Sequence, residues 1–199
     1  MPSARRISTV SIPTRRRIQI NIQLRRCIAG DEERLSLIGQ STFLETFAGI
    51  LGGSDILAHC AAAHSPEHYR KWLSMPDHRV WIAETSPGDA PIGFMAVAPA
   101  QLPLPDLSPR DMELKRIYIL GRFHGGGLGK RFLQEAIQHA RSCDAERLLL
   151  GVFAHNHAAI GFYERAGFRQ LGARKFKVGG KDYDDTIMGL SLHVQQVVL

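Results

Sequence analysis

The stretch that most constrains this chain runs from Leu114 to Ala140. There an extended apolar segment, Leu114-Lys-Arg-Ile-Tyr-Ile-Leu120, empties into a turn with four glycines among residues 125–129 and passes at once into an amphipathic helix. Glycine tolerates backbone dihedrals that a Cβ forbids and lets the main chain approach a ligand closely. The helix that follows presents unpaired N–H groups and the positive end of its dipole. Arg122, Lys130 and Arg131 add full charges around the same turn. The pattern predicts an anion cradle suited to a polyphosphate better than to a neutral metabolite. The helix rests on Leu128, Phe132, Leu133, Ala136, Ile137 and Ala140, which recur at helical spacing on one face.

Two named alternatives fail on spacing. A P-loop requires Gly-x-x-x-x-Gly-Lys followed by Ser or Thr. Here Arg131 follows Gly129-Lys130, so the magnesium-binding hydroxyl is missing. In the dinucleotide pattern Gly-x-Gly-x-x-Gly, Lys130 takes the last glycine position. The acidic ribose ligand should end a second strand, whereas Asp144 and Glu146 precede the next apolar run, Arg147 to Phe153. A nicotinamide site is disfavoured, and a loop without any ligand is the bland reading until its surroundings are read.

Those surroundings supply a second constellation. After Leu148-Leu-Leu-Gly-Val-Phe153 comes Asn156-His-Ala-Ala-Ile-Gly-Phe162-Tyr163-Glu-Arg-Ala-Gly167-Phe168, a short helix closed by glycine. Together, His124-Gly-Gly-Gly-Leu-Gly129 and Asn156-x-x-Ala159-x-x-Phe162-Tyr163-x-x-x-Gly167-Phe168 resemble the GNAT superfamily of acetyl-coenzyme A dependent N-acetyltransferases. The family's pyrophosphate motif reads Gln/Arg-x-x-Gly-x-Gly/Ala. His124 stands where Gln or Arg is usual, with Gly127 and Gly129 as the paired small residues. The similarity covers nearly the whole chain, from Gln19 to His193. It implies an α/β fold: a mixed, mostly antiparallel twisted sheet of about seven strands, with helices on both faces and a splayed central pair of strands.

Composition agrees with one such domain. A chain of 199 residues with 44% apolar content suffices for a single core, and no apolar run is long enough to span a membrane. Cys27, Cys60 and Cys143 are odd in number, far apart and without Cys-x-x-Cys spacing. They read as reduced, mostly buried thiols of a cytoplasmic protein. The net charge of +6 is carried largely by Arg5, Arg6, Arg15, Arg16 and Arg17, in a stretch without a single acid. Residues 1–17 therefore read as a basic, disordered arm, although an acid-free arginine- and serine-rich start also mimics an organelle transit peptide. Residues 18–199 read as the domain. A nucleic-acid partner is not expected, since without the five arginines of the arm the net charge of +6 falls to about +1.

Along the chain, alternation of Ile18, Ile20, Ile22 and Leu24 predicts a strand over 17–26. Asp31 opens a helix that carries Leu35, Ile38, Phe43, Leu44 and Phe47 inward. Residues 49–54 break it, 55–63 form a second helix, and Ser65-Pro66-Glu67 is a strong helix start. Residues 79–85 and 91–98 pair across Ser86-Pro-Gly-Asp89, and the four-proline stretch 99–111 is a loop. Residues 168–178 and 182–193 pair through Gly179-Gly180.

The resemblance implies a mechanism residue by residue. Ile117, Tyr118 and Ile119 match the strand positions that contact the pantetheine arm through main chain, and an N–H near Ile119 would polarise the thioester carbonyl. Gly125, Gly126, Gly127, Leu128, Gly129 and Lys130, with His124, would hold the pyrophosphate, and Asn156 the cofactor arm. Tyr163 matches the general acid, since a phenol is protonated at neutral pH and the leaving thiolate needs a proton. Packing alone is the other explanation for Tyr163, and capping of the helix for Asn156. A base is needed because an alkylamine is almost wholly protonated at pH 7. Some relatives place a Glu five residues before the Asn, where this chain has Gly151. Glu113, acting through water, is the candidate; His155 and Glu45 are weaker ones, and a solvated strand-end carboxylate is the bland reading of Glu113.

Thr42-Phe43-x-x-Thr46-Phe47, Glu113-Leu-x-Arg116-Ile-Tyr-Ile119, Leu150-Gly151-Val152 and Asp185-Thr-Ile-Met188 are most similar to bacterial spermine/spermidine acetyltransferases. The expected reaction is acetyl-CoA dependent acetylation of a small primary amine, a polyamine among the candidates, with no metal, membrane or nucleic-acid partner. A homodimer stays open. For a polyamine, Glu45, Glu113, Asp182, Asp184 and Asp185 would have to form an acidic mouth. A catalytically idle acyl-CoA binding or sensor protein is the alternative.

Overall fold

The computed structural model describes residues 20–178 and 181–192. The basic arm, the Gly179-Gly180 turn and His193 lie outside the described residues.

β2 (Arg79–Ser86) and β3 (Pro91–Pro99) are buried along most of their length, as strands covered on both sides must be. On one face Val80, Ile82, Phe94 and Ala96 pack with Leu35 and Ile38 of α1 (Glu32–Phe47) and Tyr69 of α3 (Pro66–Ser74). On the other, Trp81, Ala83, Met95 and Val97 join Leu128, Phe132, Leu133 and Ala136 of α4 (Leu128–Ser142) and Tyr163 of α5 (His157–Arg165). Each such apolar side chain contributes about 1.5–3 kcal/mol when fully buried.

The remaining strands are β1 (Asn21–Arg26), β4 (Met112–Ile119), β5 (Arg147–Phe153), β6 (Arg169–Val178) and β7 (Lys181–Ser191). They complete one seven-stranded sheet in the order β1-β2-β3-β4-β5-β7-β6. All pairings are antiparallel except β4 with β5. That parallel pair has two matched positions, Met112 with Leu148 and Glu113 with Leu149. Beyond them residues 114–119 and 150–153 diverge, while β4 keeps its pairing to β3 as far as Ile119. A bulge at Lys115, between the pairs Ala96–Arg116 and Val97–Leu114, turns β4 at the start of the divergence. The expected seven-stranded mixed sheet with a splayed central pair is the observed one.

α2 (Gly53–Ala63) packs with the end of α1 on the tip of the last hairpin, through Phe43, Leu51, Ile56, Cys60 and Val178. Ser65 caps α3, its Oγ accepting from the His68 N–H at 3.1 Å. The 99–111 loop covers the sheet beside α2: Leu102 packs on Leu149 and Ile187, and Arg147 anchors it to Asp106 and Asp111. Two expectations change. Leu44, expected inward, is exposed, because α1 turns only its Leu35, Ile38 and Phe43 side to the sheet. Cys143, expected with the buried thiols, lies exposed after the last turn of α4.

Candidate active site

The glycine turn stands where the sheet opens. β4 ends at Ile119, a short 3-10 turn covers Gly121–Phe123, and α4 begins at Leu128. Gly125 (φ +77°) and Gly127 (φ +81°) are left-handed, a conformation costly for residues with a Cβ. A Cβ built on either meets nothing within 4 Å, so the space they face is open. Gly127 occupies the N-cap of a 15-residue helix whose first turn carries no acid. An anion placed there meets free N–H groups and the helix dipole, with Lys130 exposed beside them. The residues present thus fit a pyrophosphate. His124 stays exposed: its Nε2 donates to the Ile119 carbonyl at 2.8 Å and ties the turn to the end of β4. Leu128 is buried and offers the site only its backbone.

Ile117 and Ile119 pack, half-buried, with the α4–α5 cluster, whereas Tyr118 points to the opposite face. On the α4–α5 side, α5 carries the other two expected residues. Asn156 caps the helix, its Oδ1 accepting from the Ala159 N–H at 3.1 Å, so the capping role exists. Tyr163 is 5% exposed and packs edge-on against Phe162 and tilted against Phe168. Its hydroxyl has no hydrogen-bond partner among the described residues. Burial, with Tyr118 nearby, pushes the phenol well above its ordinary pKa, so it stays a proton donor at any physiological pH.

The face toward α1 and α2 differs in kind. Tyr118 is surrounded by Phe94 and His64, with ring centroids 5.6 and 6.0 Å away. His64, fully buried, bonds Tyr69 Oη through Nδ1 at 2.7 Å, and burial pushes it down to about 2. Arg116 lies over the Trp72 ring at 4.7 Å and donates to the Ala63 carbonyl at 2.7 Å. Phe47, Leu51, Phe153, Phe176, Val178, Tyr183 and Asp185 enclose a small hollow beside the splay.

The carboxylates are scattered over different settings. Glu113 is buried where β4 and β5 still pair; its Oε2 accepts from Lys115 Nζ at 2.6 Å and from the Gln101 N–H at 3.0 Å. Glu45 accepts the Gly121 N–H at 2.8 Å, just ahead of the glycine turn. Asp184 is paired with Lys175 at 2.5 Å and Asp185 with Arg174 at 3.1 Å. Asp182 and His155 are exposed, His155 with its ring 5.3 Å from Phe153. Three of the five carboxylates expected at an acidic mouth therefore carry their own cations.

Arg174, Phe153, Phe176 and Tyr183 escaped the sequence reading. The one available signal was Gly151, a glycine inside a buried strand, which marks a close approach: a Cβ there would lie 2.6 Å from Arg174 Nη2.

Comparison with known proteins gives the family and the fold. The profile described as Acetyltransferase (GNAT) family matches residues 53–168, more than half of the chain. An uncharacterized N-acetyltransferase of Mycobacterium tuberculosis is 34% identical over 79 residues, 40% of this chain and 51% of that protein. The spermine/spermidine N(1)-acetyltransferase of Bacillus subtilis is 41% identical over 64 residues, 32% of this chain and 42% of that protein. The chain spans about half the length of the curated relatives it matches. Among solved structures, the PaiA N-acetyltransferase of Thermoplasma acidophilum in complex with coenzyme A aligns with TM-score 0.66 and 21% identity. That alignment covers 86% of this chain and 99% of that one. The ribosomal-protein-alanine N-acetyltransferase of Brucella melitensis aligns with TM-score 0.64 and 23% identity, covering 85% and 99%. At these identities the structural likeness shows the fold.

Proposed function

The chain belongs to the acetyltransferase (GNAT) family, and from that premise we propose that it transfers the acetyl group of acetyl-CoA to a small primary amine by direct attack. The observation that carries the reading is the left-handed glycine turn at the start of α4, set beside a sheet that opens past Glu113. In this reading Gly125 to Lys130 hold the pyrophosphate through main-chain N–H groups, and Ile117 to Ile119 line the gap with backbone groups. Bound acetyl-CoA supplies the thioester carbonyl. An N–H near Ile119 stabilises the oxyanion that develops there.

Tyr163 donates its proton to the departing sulfur, a role supported by a phenol kept protonated by burial. Asn156 serves as helix cap and contact of the cofactor arm together. Glu113 is the proposed proton acceptor through ordered water, and its pair with Lys115 has to open before it takes a proton. Glu113→Gln tests this: activity should fall while acetyl-CoA affinity holds. The thiols of Cys27, Cys60 and Cys143, none in a disulfide, support a cytoplasmic site of action.

A polyamine is the second reading of the acceptor, favoured by the Bacillus subtilis spermine/spermidine relative. The cations already paired with Glu113, Asp184 and Asp185 favour an acceptor of lower charge. Thiol release from acetyl-CoA, measured over a panel of primary amines with the product identified by mass spectrometry, tests the reading. Acetyl-CoA binding without thiol release on any amine would replace it with an idle acyl-CoA binding protein.

A further inference from the structure

At the end of α4 away from the glycine turn, roughly 22 Å along a 15-residue helix, a groove of about 250 Å³ opens to solvent. Arg79 at the start of β2, Pro99 at the end of β3, Arg110 and Asp111 ahead of β4, and His139 and Cys143 of the α4 end line it. None of the residues assigned to the donor or the acceptor does. The volume suits a small organic arm better than a single water. The charges around it are not all paired. Asp111 accepts Arg147 Nε and Nη2 at 3.0 and 2.6 Å and the Ser108 N–H at 2.8 Å. Asp77, also at the groove, meets His78 Nδ1 at 2.8 Å, and Arg110 pairs with Glu146. Arg79, half-buried, has no carboxylate within ion-pair distance among the described residues. Its Nη1 donates instead to the carbonyls of Pro76 and His78, the latter at 2.7 Å, which fixes the guanidinium without neutralising it. A guanidinium so placed fits a carboxylate.

Cys143 stands in the same groove and is the exposed one of the three free thiols, Cys60 being buried and Cys27 half-buried. The His139 ring, one helical turn earlier, brings Nε2 and Nδ1 to 3.8 and 3.9 Å from Sγ. Trp81 supports that ring edge-on, with centroids 5.4 Å apart. Burial, then Arg79 and Arg26, holds His139 below its ordinary pKa, so at pH 7 the ring is neutral and has a lone pair for the thiol proton. A helix C-terminus opposes a thiolate, but here the carbonyls of His139, Ala140 and Arg141 already accept the N–H groups of Cys143, Asp144 and Ala145. Arg79 puts a positive charge in the groove that the thiol shares.

We propose that this groove is a thiol-modification site, in which Cys143 exchanges with a small disulfide bearing carboxylate arms and Arg79 binds a carboxylate of the arm that stays. His139 takes the Cys143 proton. The thiolate attacks one sulfur of the disulfide, whose S–S bond breaks as the bond from Cys143 forms, and the other arm leaves as a thiolate that collects the proton from His139. The Cys143 sulfur is oxidised and the departing sulfur reduced, so the disulfide is itself the oxidant. The site stands apart from the acetyltransferase reading and does not depend on it.

The test is the rate of mixed-disulfide formation on the full chain, followed by mass spectrometry with peptide mapping, for oxidised glutathione and for the uncharged bis(2-hydroxyethyl) disulfide. Wild type should carry the adduct first on Cys143, and Cys143→Ser should lose it. Arg79→Gln should slow oxidised glutathione roughly tenfold, the loss of one charge-assisted hydrogen bond, and leave the neutral reagent within about twofold. His139→Asn should slow both. An adduct absent from Cys143 or formed first on Cys27 or Cys60, a His139→Asn rate equal to wild type, or an Arg79→Gln variant that slows both reagents equally overturns the proposal. If Arg79→Gln does not fold, wild type at low and high salt replaces it. High salt should slow oxidised glutathione alone, because it screens exposed charges, and a rate that salt leaves unchanged overturns the proposal.

Discussion

On the α4–α5 side of the splay, the groups open to a ligand are main-chain N–H groups of one short stretch, Gly125 to Gly129. On the α1–α2 side they are side chains gathered from α1, β4, β5, β6 and β7: Phe47, Tyr118, Phe153, Arg174 and Asp185. A backbone cradle asks for dihedrals and an absent Cβ, so it reads any pyrophosphate alike and is the same whatever the acceptor. A side-chain pocket is set by charge, ring and volume at single positions, each open to change without touching the cradle. In the proposed reading the fold separates a general donor site from a particular acceptor site across one gap in the sheet.

The sharpest way to break that division is at Tyr163, the proposed acid on the donor side. Tyr163→Phe keeps the packing against Phe162 and Phe168 and removes the proton. Its kcat should fall roughly 100-fold or more, with acetyl-CoA affinity and acceptor KM both held. Stopped-time thiol release and calorimetry check the two halves. A variant that keeps most of its kcat returns Tyr163 to a packing role.

A smaller loss is expected at the cradle itself. Gly127→Val forces a β-branched residue into φ +81° at the N-cap of α4, a strain of about 1–3 kcal/mol. Acetyl-CoA should bind roughly tenfold to 100-fold more weakly by calorimetry, with amine KM unchanged. Gly151→Ala should do the reverse. Its Cβ displaces Arg174, disturbing the amine KM while acetyl-CoA affinity stays put. Equal effects of both variants on both ligands would erase the division.

The smallest effect is on stability and belongs to the acceptor face alone. His64 is fully buried there, and burial, with Arg116 next, lowers its pKa to about 2 from the ordinary 6.5. The unfolded chain therefore binds a proton that the folded chain refuses between those values. Stability from this group is complete above pH 6.5 and falls as the pH drops below it, by about 1.4 kcal/mol per unit at most. His68, lowered to about 4, acts in the same direction. Urea denaturation at pH 7 and pH 5 should show the loss, and His64→Asn should flatten it. An identical pH slope in that variant would place the titration elsewhere.

Legibility in the sequence follows the same line. The glycine turn, the α4 stripe, the Ser65 cap and the α5 start at Asn156 are encoded by neighbours within a few residues, and local rules reach them. The splay was expected from the family resemblance rather than from any residue pattern, because two strands parting is a property of pairing. Leu44 was misassigned because a four-residue recurrence does not tell which side of a stripe the sheet will cover. The acceptor face was hardest. Asp185 was in view as one of five acids, but its setting depends on Arg174, on the missing side chain of Gly151 and on Phe47, which lies in the first quarter of the chain. Nothing local separates Asp185 from Asp184, which is spent on Lys175 at the surface.

A crystal structure of the chain with bound coenzyme A tests the division of the two faces most directly. The account predicts the pyrophosphate on the N–H groups of Gly125 to Gly129, the pantetheine arm between residues 114–119 and 150–153, and the thiol within hydrogen-bond reach of the Tyr163 hydroxyl. Coenzyme A lying on the α1–α2 face, or leaving the gap between β4 and β5 closed, would contradict it.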